Sequence, residues 1–261
     1  MRIRATVAAL TGALALSALA LPSAAQADTV NEPTKVTKVV VNGGKDIVVG
    51  VSATVKVKVV ITATDPKGVA DADVFLWHGS ENNNDGFLSA DEVPGADYAH
   101  CVAVNATTST CTQTISINPK TAYWSSNVAG TWKVAAAAIG NTGFYQKSVY
   151  QTQRVQRASS LTVNAAPEPV KKGKTITVTG KLSRANWDDF HYHGYASQPV
   201  KLQFRKKNSS TYTTVKTIKT NVYGSLKTTT KAVQDGYWRY VFTGTSTTPA
   251  VTTAGDYVDV R

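Results

Sequence analysis

The sequence predicts an all-β protein built as two antiparallel β-sandwiches in tandem. Three observations carry that reading: apolar and polar residues alternate with period two, turn clusters recur at short intervals, and two halves of the chain resemble each other. In "ATVKVKVVITATD", Val55, Val57, Val59, Ile61 and Ala63 fall on one face, with Thr54, Lys56, Lys58 and Thr62 on the other. In "KTITVTGKL", Ile176, Val178 and Leu182 oppose Thr175, Thr177 and Lys181, and in "QPVKLQFRKK", Val200, Leu202 and Phe204 oppose Lys201, Gln203 and Arg205. "NGGKD", "APEPVKKG" and "KKNSST" punctuate these strands as turns. Helical periodicity is nearly absent.

The chain opens with Arg2 and Arg4, an apolar run from Ala5 to Leu21, and "AQA" before Asp28. A charged start, an apolar stretch and small residues at a cleavage site read as a secretory signal peptide, residues 1–27, removed after Ala27. No later apolar stretch reaches the roughly 20 residues needed to span a bilayer. The expected product is secreted. Its remaining length suits two domains, 28–157 and 158–261, divided near "QRVQRASS". Charge divides there too. Residues 28–157 carry 11 Lys/Arg and 11 Asp/Glu, whereas residues 158–261 carry 15 against 6, a net of +9. A basic half points to an anionic partner or to a merely soluble basic surface.

The internal repeat pairs "VVVNGGKDIVVG" with "LTVNAAPEPVKKG", and "AGTWKV" around Trp132 with "DGYWRY" around Trp238. The first copy holds extra residues between these matched segments. At "LTVNAAPEPVKKGKTITVTGKL", "QPVKLQF" and "DGYWRYVFTG", the chain resembles bacterial immunoglobulin-like modules of secreted actinobacterial proteins. That resemblance implies immunoglobulin-like sandwiches serving as spacer, adhesion or wall-binding modules, usually without catalysis. It supplies no functional residues.

The run "ENNNDGFLSADE", Glu81 to Glu92, resembles an EF-hand calcium loop. On that pattern Glu81, Asn83 and Asp85 take the first, third and fifth positions, and Gly86 makes the bend. Phe87 would give its carbonyl, Ser89 would act at the ninth position, and Glu92 would close the site with two oxygens. Glu81 departs from the usual Asp. The flanks depart as well: "DVFLWHG" reads as a strand, and Pro94–Gly95 leaves room for barely one helical turn. The expectation is a single loop on a sandwich edge, holding calcium with a Kd on the order of 10⁻⁴–10⁻³ M. The alternative is a solvated acidic turn, because Asn, Asp and Gly are ordinary turn formers.

Cys101 and Cys111 lie in "CVAVNATTSTC", two strands about a turn near Ala106. In an exported chain they are expected to form a hairpin disulfide. "NWDDFHYHGY" places His191 and His193 near Asp188 and Asp189, but a local HxH without a remote ligand reads as a polar loop with aromatic anchors. No GxSxG or HExxH motif occurs, so no catalysis is expected. Lys201, Arg205, Lys206, Lys207 and Arg239 are the candidate polyanion-binding residues, on strands whose alternate residues are apolar. Trp238, Tyr240 and Phe242 alternate as core, which argues against a sequence-specific nucleic-acid reader. The function expected is a secreted, non-catalytic, calcium-binding surface or matrix module attracted to anionic wall polymers. The alternative is an exported enzyme or protease inhibitor whose active surface is assembled from distant residues.

Overall fold

A computed structural model describes residues 29–31, 33–80, 83–90, 99–122 and 125–261. The predicted signal peptide, 1–27, lies outside the described residues, as do Glu81, Asp91 and Glu92.

The first sandwich is built from Thr29–Asn31 (β1), Lys35–Val41 (β2), Ile47–Val49 (β3), Val55–Thr64 (β4) and Val69–Ser80 (β5). Asn83–Leu88 (β6), His100–Asn105 (β7), Thr108–Ile117 (β8), Gly130–Gly140 (β9) and Phe144–Arg157 (β10) complete it. One sheet has the order β1-β10-β9-β5-β6, and the facing sheet β2-β4-β8-β7. Pairing is antiparallel except where β3 runs parallel to the end of β10.

The second sandwich follows with Ser159–Leu161 (β11), Asn164–Ala166 (β12), Thr175–Asn186 (β13), His191–Gly194 (β14) and Pro199–Lys206 (β15). It ends with Thr213–Lys219 (β16), Ser225–Lys231 (β17), Gly236–Phe242 (β18), Val251–Thr252 (β19) and Asp256–Val258 (β20). Here β13 carries β11, β12, β14 and β17, while the facing sheet runs β16-β15-β18 with β19 and β20 on β18. The fold is thus two tandem antiparallel β-sandwiches, the class that the alternation predicts.

The two copies share a strand plan. The order β2-β4-β8 repeats as β12-β13-β17, and β6-β5-β9-β10 repeats as β16-β15-β18-β20. Trp132 and Trp238 occupy matching strands, β9 and β18, and both are buried. Strand β7 has no counterpart in that plan. It brings Cys101 opposite Cys111 on β8, where the two form the disulfide.

Alternation explains each core. In β4, Val57, Val59, Ile61 and Ala63 are buried and Lys56 and Lys58 exposed. They meet Val74 and Leu76 of β5 and Trp132 and Val134 of β9 across the sandwich. In the second copy Ile176, Val178 and Leu182 of β13 face Val200 and Leu202 of β15 and Trp238 and Phe242 of β18. Tyr240 crosses this core and donates its hydroxyl to the Val178 carbonyl at 3.0 Å. Burial pushes that phenol's pKa up.

The sandwiches meet without a linker, since Ala158 alone separates β10 from β11. Its amide donates to Val49 and its carbonyl accepts from Ala185, at 2.9 and 2.8 Å. Arg157 donates through Nε to the Ala185 carbonyl, and burial pulls its guanidinium down to about 10, which leaves it charged at neutral pH. Trp187 completes the joint. It belongs to the second copy's chain, yet its side chain and Ala185 pack into the first copy's core beside Ile47 and Val49. Its indole N–H donates to the Gly50 carbonyl at 3.1 Å, so the ring is buried without an unpaired donor.

Removing such a ring costs about 3–5 kcal/mol. Trp187→Ala is therefore expected to split a single thermal unfolding transition into two, read by calorimetry. Two transitions already present in the parent would show that the joint does not couple the sandwiches.

One half-buried acid carries a pH prediction. Asp73 Oδ1 is buried with no hydrogen-bond partner; burial, with Asp71 nearby, raises its pKa. Its folded value lies above the unfolded one, so its stabilising share is full below the unfolded value and lost as pH rises through the folded value. Asp73→Asn should thus be more stable than the parent at neutral pH, the gap closing on acidification. Denaturation midpoints with a constant gap across pH would contradict this.

Candidate polyanion-binding face

The outer face of the β16-β15-β18-β20 sheet is set by the same alternation that fills the core. With Val200 and Leu202 pointing inward on β15, Lys201, Gln203 and Arg205 point to solvent. With Trp238, Tyr240 and Phe242 inward on β18, Tyr237, Arg239 and Val241 point outward. Register then pairs Lys201 with Val241, Gln203 with Arg239, and Arg205 with Tyr237. On the next strand Tyr257 stands opposite Tyr237.

These pairings stack cations on rings. The Arg205 guanidinium lies 3.8 Å from the Tyr237 centroid and 5.4 Å from that of Tyr212. Arg239 lies 3.6 Å from the Tyr212 centroid, and its Nε donates to Gln203 Oε1 at 2.8 Å. Tyr237 and Tyr257 are 5.1 Å apart between centroids. Each cation–π contact at a partly exposed site contributes about 0.5–1 kcal/mol, enough to order a long side chain that would otherwise sample many rotamers. Tyr212 can lie across the sheet because residue 255 is glycine: a Cβ there would stand 2.3 Å from the Tyr212 hydroxyl.

The face gathers three of the five basic residues singled out in the sequence. Lys201, Arg205 and Arg239 share it. Lys207 sits at its rim, where the Tyr257 hydroxyl and Asp235 raise its pKa, and its ammonium lies 3.4 Å from the Asp235 carboxylate. Asp235 is held below the usual carboxylate range by the Val260 amide, the Tyr257 hydroxyl and Lys207. The charged ammonium of Lys207 is therefore paired with Asp235. Lys206 has the opposite strand parity and stands across from Gly236, outside the face. Tyr212, Tyr237 and Tyr257 were not anticipated. Tyr237 was accessible from the sequence, because an inward Trp238 forces its neighbours out; Tyr212 and Tyr257 required the strand register.

Within the run from Glu81 to Glu92, the described residues are 83–90. Asn83–Leu88 is a strand on β5, with Trp77 opposite Phe87 and His78 opposite Gly86. Gly86 does not serve a sharp bend: a Cβ there would stand 2.7 Å from the Trp132 ring, so glycine is needed for close approach. Asp85 Oδ1 accepts a hydrogen bond from His78 Nδ1 at 2.6 Å, and the Phe87 ring packs on Phe75. An EF-hand coil needs its third, fifth and seventh residues to converge on one centre; here Asn83 and Phe87 pair with β5, and the register skips Asp85 between Asn84 and Gly86. Ser89 follows the strand, and Glu81 and Glu92 lie outside the described residues. Among the described residues, no group of three or more His, Cys, Asp or Glu side chains is gathered as a metal site. His191 and His193 both hang on Asp189, His193 at 2.6 Å, as the polar turn beyond Trp187.

Residues 49–138, less than half of the chain, match a family of unknown function, DUF5707. No curated protein matches the chain. Similar solved structures include a chimeric titin Z1Z2 tandem, 14% identical, which covers 88% of this chain and 100% of its own at a TM-score of 0.30. A marsupial T cell receptor is 11% identical, covering 87% and 72% at a TM-score of 0.38. Fibronectin(III)-like modules of Clostridium thermocellum CbhA are 10% identical, covering 85% and 93% at a TM-score of 0.31. Similarity at this level assigns no activity, and the fold assignment rests on the sheet topology. No helix among the described residues is long and apolar enough to cross a membrane.

Gly255→Ala is expected to push Tyr212 off Arg239 and to move the Arg239 Nε–Hε cross-peak in an NMR spectrum while the core resonances stay in place. An unmoved Arg239 peak would contradict the role given to this glycine.

Proposed function

We propose that this protein is an exported, non-catalytic binding module that holds an anionic cell-surface polymer on the outer sheet face of its second sandwich. The observation that carries the reading is the pair Arg205 and Arg239, ordered by Tyr237 and Tyr212 on an open sheet face that also carries Lys201. The disulfide supports export, since such bonds persist in oxidising compartments. The net +9 of residues 158–261, against zero for residues 28–157, gives the approaching polymer a preferred half. The joint at Trp187 supports a structural role beside the binding one, because it fixes the face relative to the rest of the chain.

The test is retention of chain 28–261 on an immobilised anionic wall polymer. Retention should fall steeply as salt rises, through screening and counterion release. A double Arg205→Ala, Arg239→Ala variant should lose retention, whereas Lys56→Ala, Lys58→Ala on the first sandwich should keep it. Equal loss in both variants, or salt-independent retention, would overturn the proposal. Turnover of the polymer in the same assay would favour the exported-enzyme alternative.

Calcium binding by Glu81, Asn83, Asp85, Phe87, Ser89 and Glu92 is a separate proposal supported by the sequence spacing alone. Asp85 would have to leave His78 to serve it. Calorimetric titration at millimolar Ca²⁺ decides the matter: heat that vanishes in Glu92→Gln supports it, and no heat ends it.

A further inference from the structure

We propose that Arg239 is the specificity-determining residue of this face, a pre-oriented fork for the carboxylate of an acidic polysaccharide. The inference rests on the binding function proposed above and deepens it. A surface arginine ordinarily gives up much rotamer freedom when it grips a ligand, and that cost lowers affinity. Arg239 has given it up in advance. Its Nε–H is committed to Gln203 Oε1, its guanidinium lies on the Tyr212 ring, and Gly255 keeps that ring in place. Neither terminal nitrogen hydrogen-bonds a described residue. The free end therefore presents parallel N–H donors that match two oxygens of one anionic group. Arg205 differs, because its terminal nitrogen already donates to the Ser209 carbonyl at 2.8 Å; it is the more structural of the two.

The surroundings favour a glycan over a nucleic acid. Tight binding to a phosphate backbone draws on about 6–10 phosphate contacts. This face offers Lys201, Arg205 and Arg239, with Lys207 engaged by Asp235. It is also an open sheet, with no groove to track a backbone. A single uronate residue asks for less: one fork for its carboxylate and one half-exposed aromatic ring, Tyr212, against the apolar C–H edge of the sugar. Lysine at position 239 would keep the charge but lose both the fork and the flat stacking.

The experiment measures binding of chain 28–261 to polygalacturonate, heparin and single-stranded DNA at one ionic strength. The parent should prefer polygalacturonate. Arg239→Lys should weaken that binding about tenfold, the scale of losing one charge-assisted bidentate contact, with melting temperature unchanged. Gln203→Ala, which frees Nε and unpins the guanidinium, should weaken it in the same direction. No binding of any polymer by the parent would fell the binding function itself. Parent binding that survives in Arg239→Lys, or DNA bound as tightly as polygalacturonate, would leave a general cationic face and overturn the fork.

Discussion

The arrangement of the molecule depends on one indole. Trp187 is carried by the second sandwich and buried in the first, with its N–H given to the Gly50 carbonyl. The single residue between the copies, Ala158, is bonded on both sides, to Val49 and to Ala185. A joint of this kind removes the hinge that a longer linker would supply. Each sheet face then has a fixed direction relative to the rest of the chain, and a basic face can serve a structural role as well as a binding one.

Duplication of one strand plan makes the divergence of the two copies informative. The sheet β6-β5-β9 of the first copy corresponds to β16-β15-β18 of the second. Its outward positions hold Phe75, Trp77, Lys133 and Ala135, and Lys133 stacks on Trp77 at 4.0 Å. Ala135 and Trp77 are buried there. At the matching positions in the second copy stand Lys201, Gln203, Arg239 and Val241, all at least partly open to solvent. Inward positions remain Trp132 and Trp238 in both. The inward tryptophan is kept in both copies while the outer positions differ, Gln203 standing where the first copy has the buried Trp77.

Much of this was legible in the sequence. The alternation in "ATVKVKVVITATD" and "QPVKLQFRKK" reports burial directly, because a strand's side-chain period is two. The cysteine pair was legible because hairpin pairing is local. The strand over Asn83–Leu88 was not: Asn, Asp and Gly prefer turns, but pairing with β5 and the Trp132 ring against Gly86 override that preference. The place of Trp187 was not legible, since nothing local to "NWDDFHYH" says that its ring enters the other sandwich's core. Tyr212 and Tyr257 escaped for a related reason. They meet Arg239 and Tyr237 only through sheet register, which a single sequence does not encode locally.

The proposed binding falls to one ordered face of the second sandwich. Its most direct test is a ¹H–¹⁵N titration of the labelled chain with an acidic polysaccharide, following backbone amides and arginine Nε–Hε groups together. Shifts should concentrate at Lys201, Gln203, Arg205, Tyr237 and Arg239, with the Trp187 joint unmoved. Shifts spread over exposed lysines of both sandwiches, Lys56 and Lys58 as much as Lys201, would contradict it.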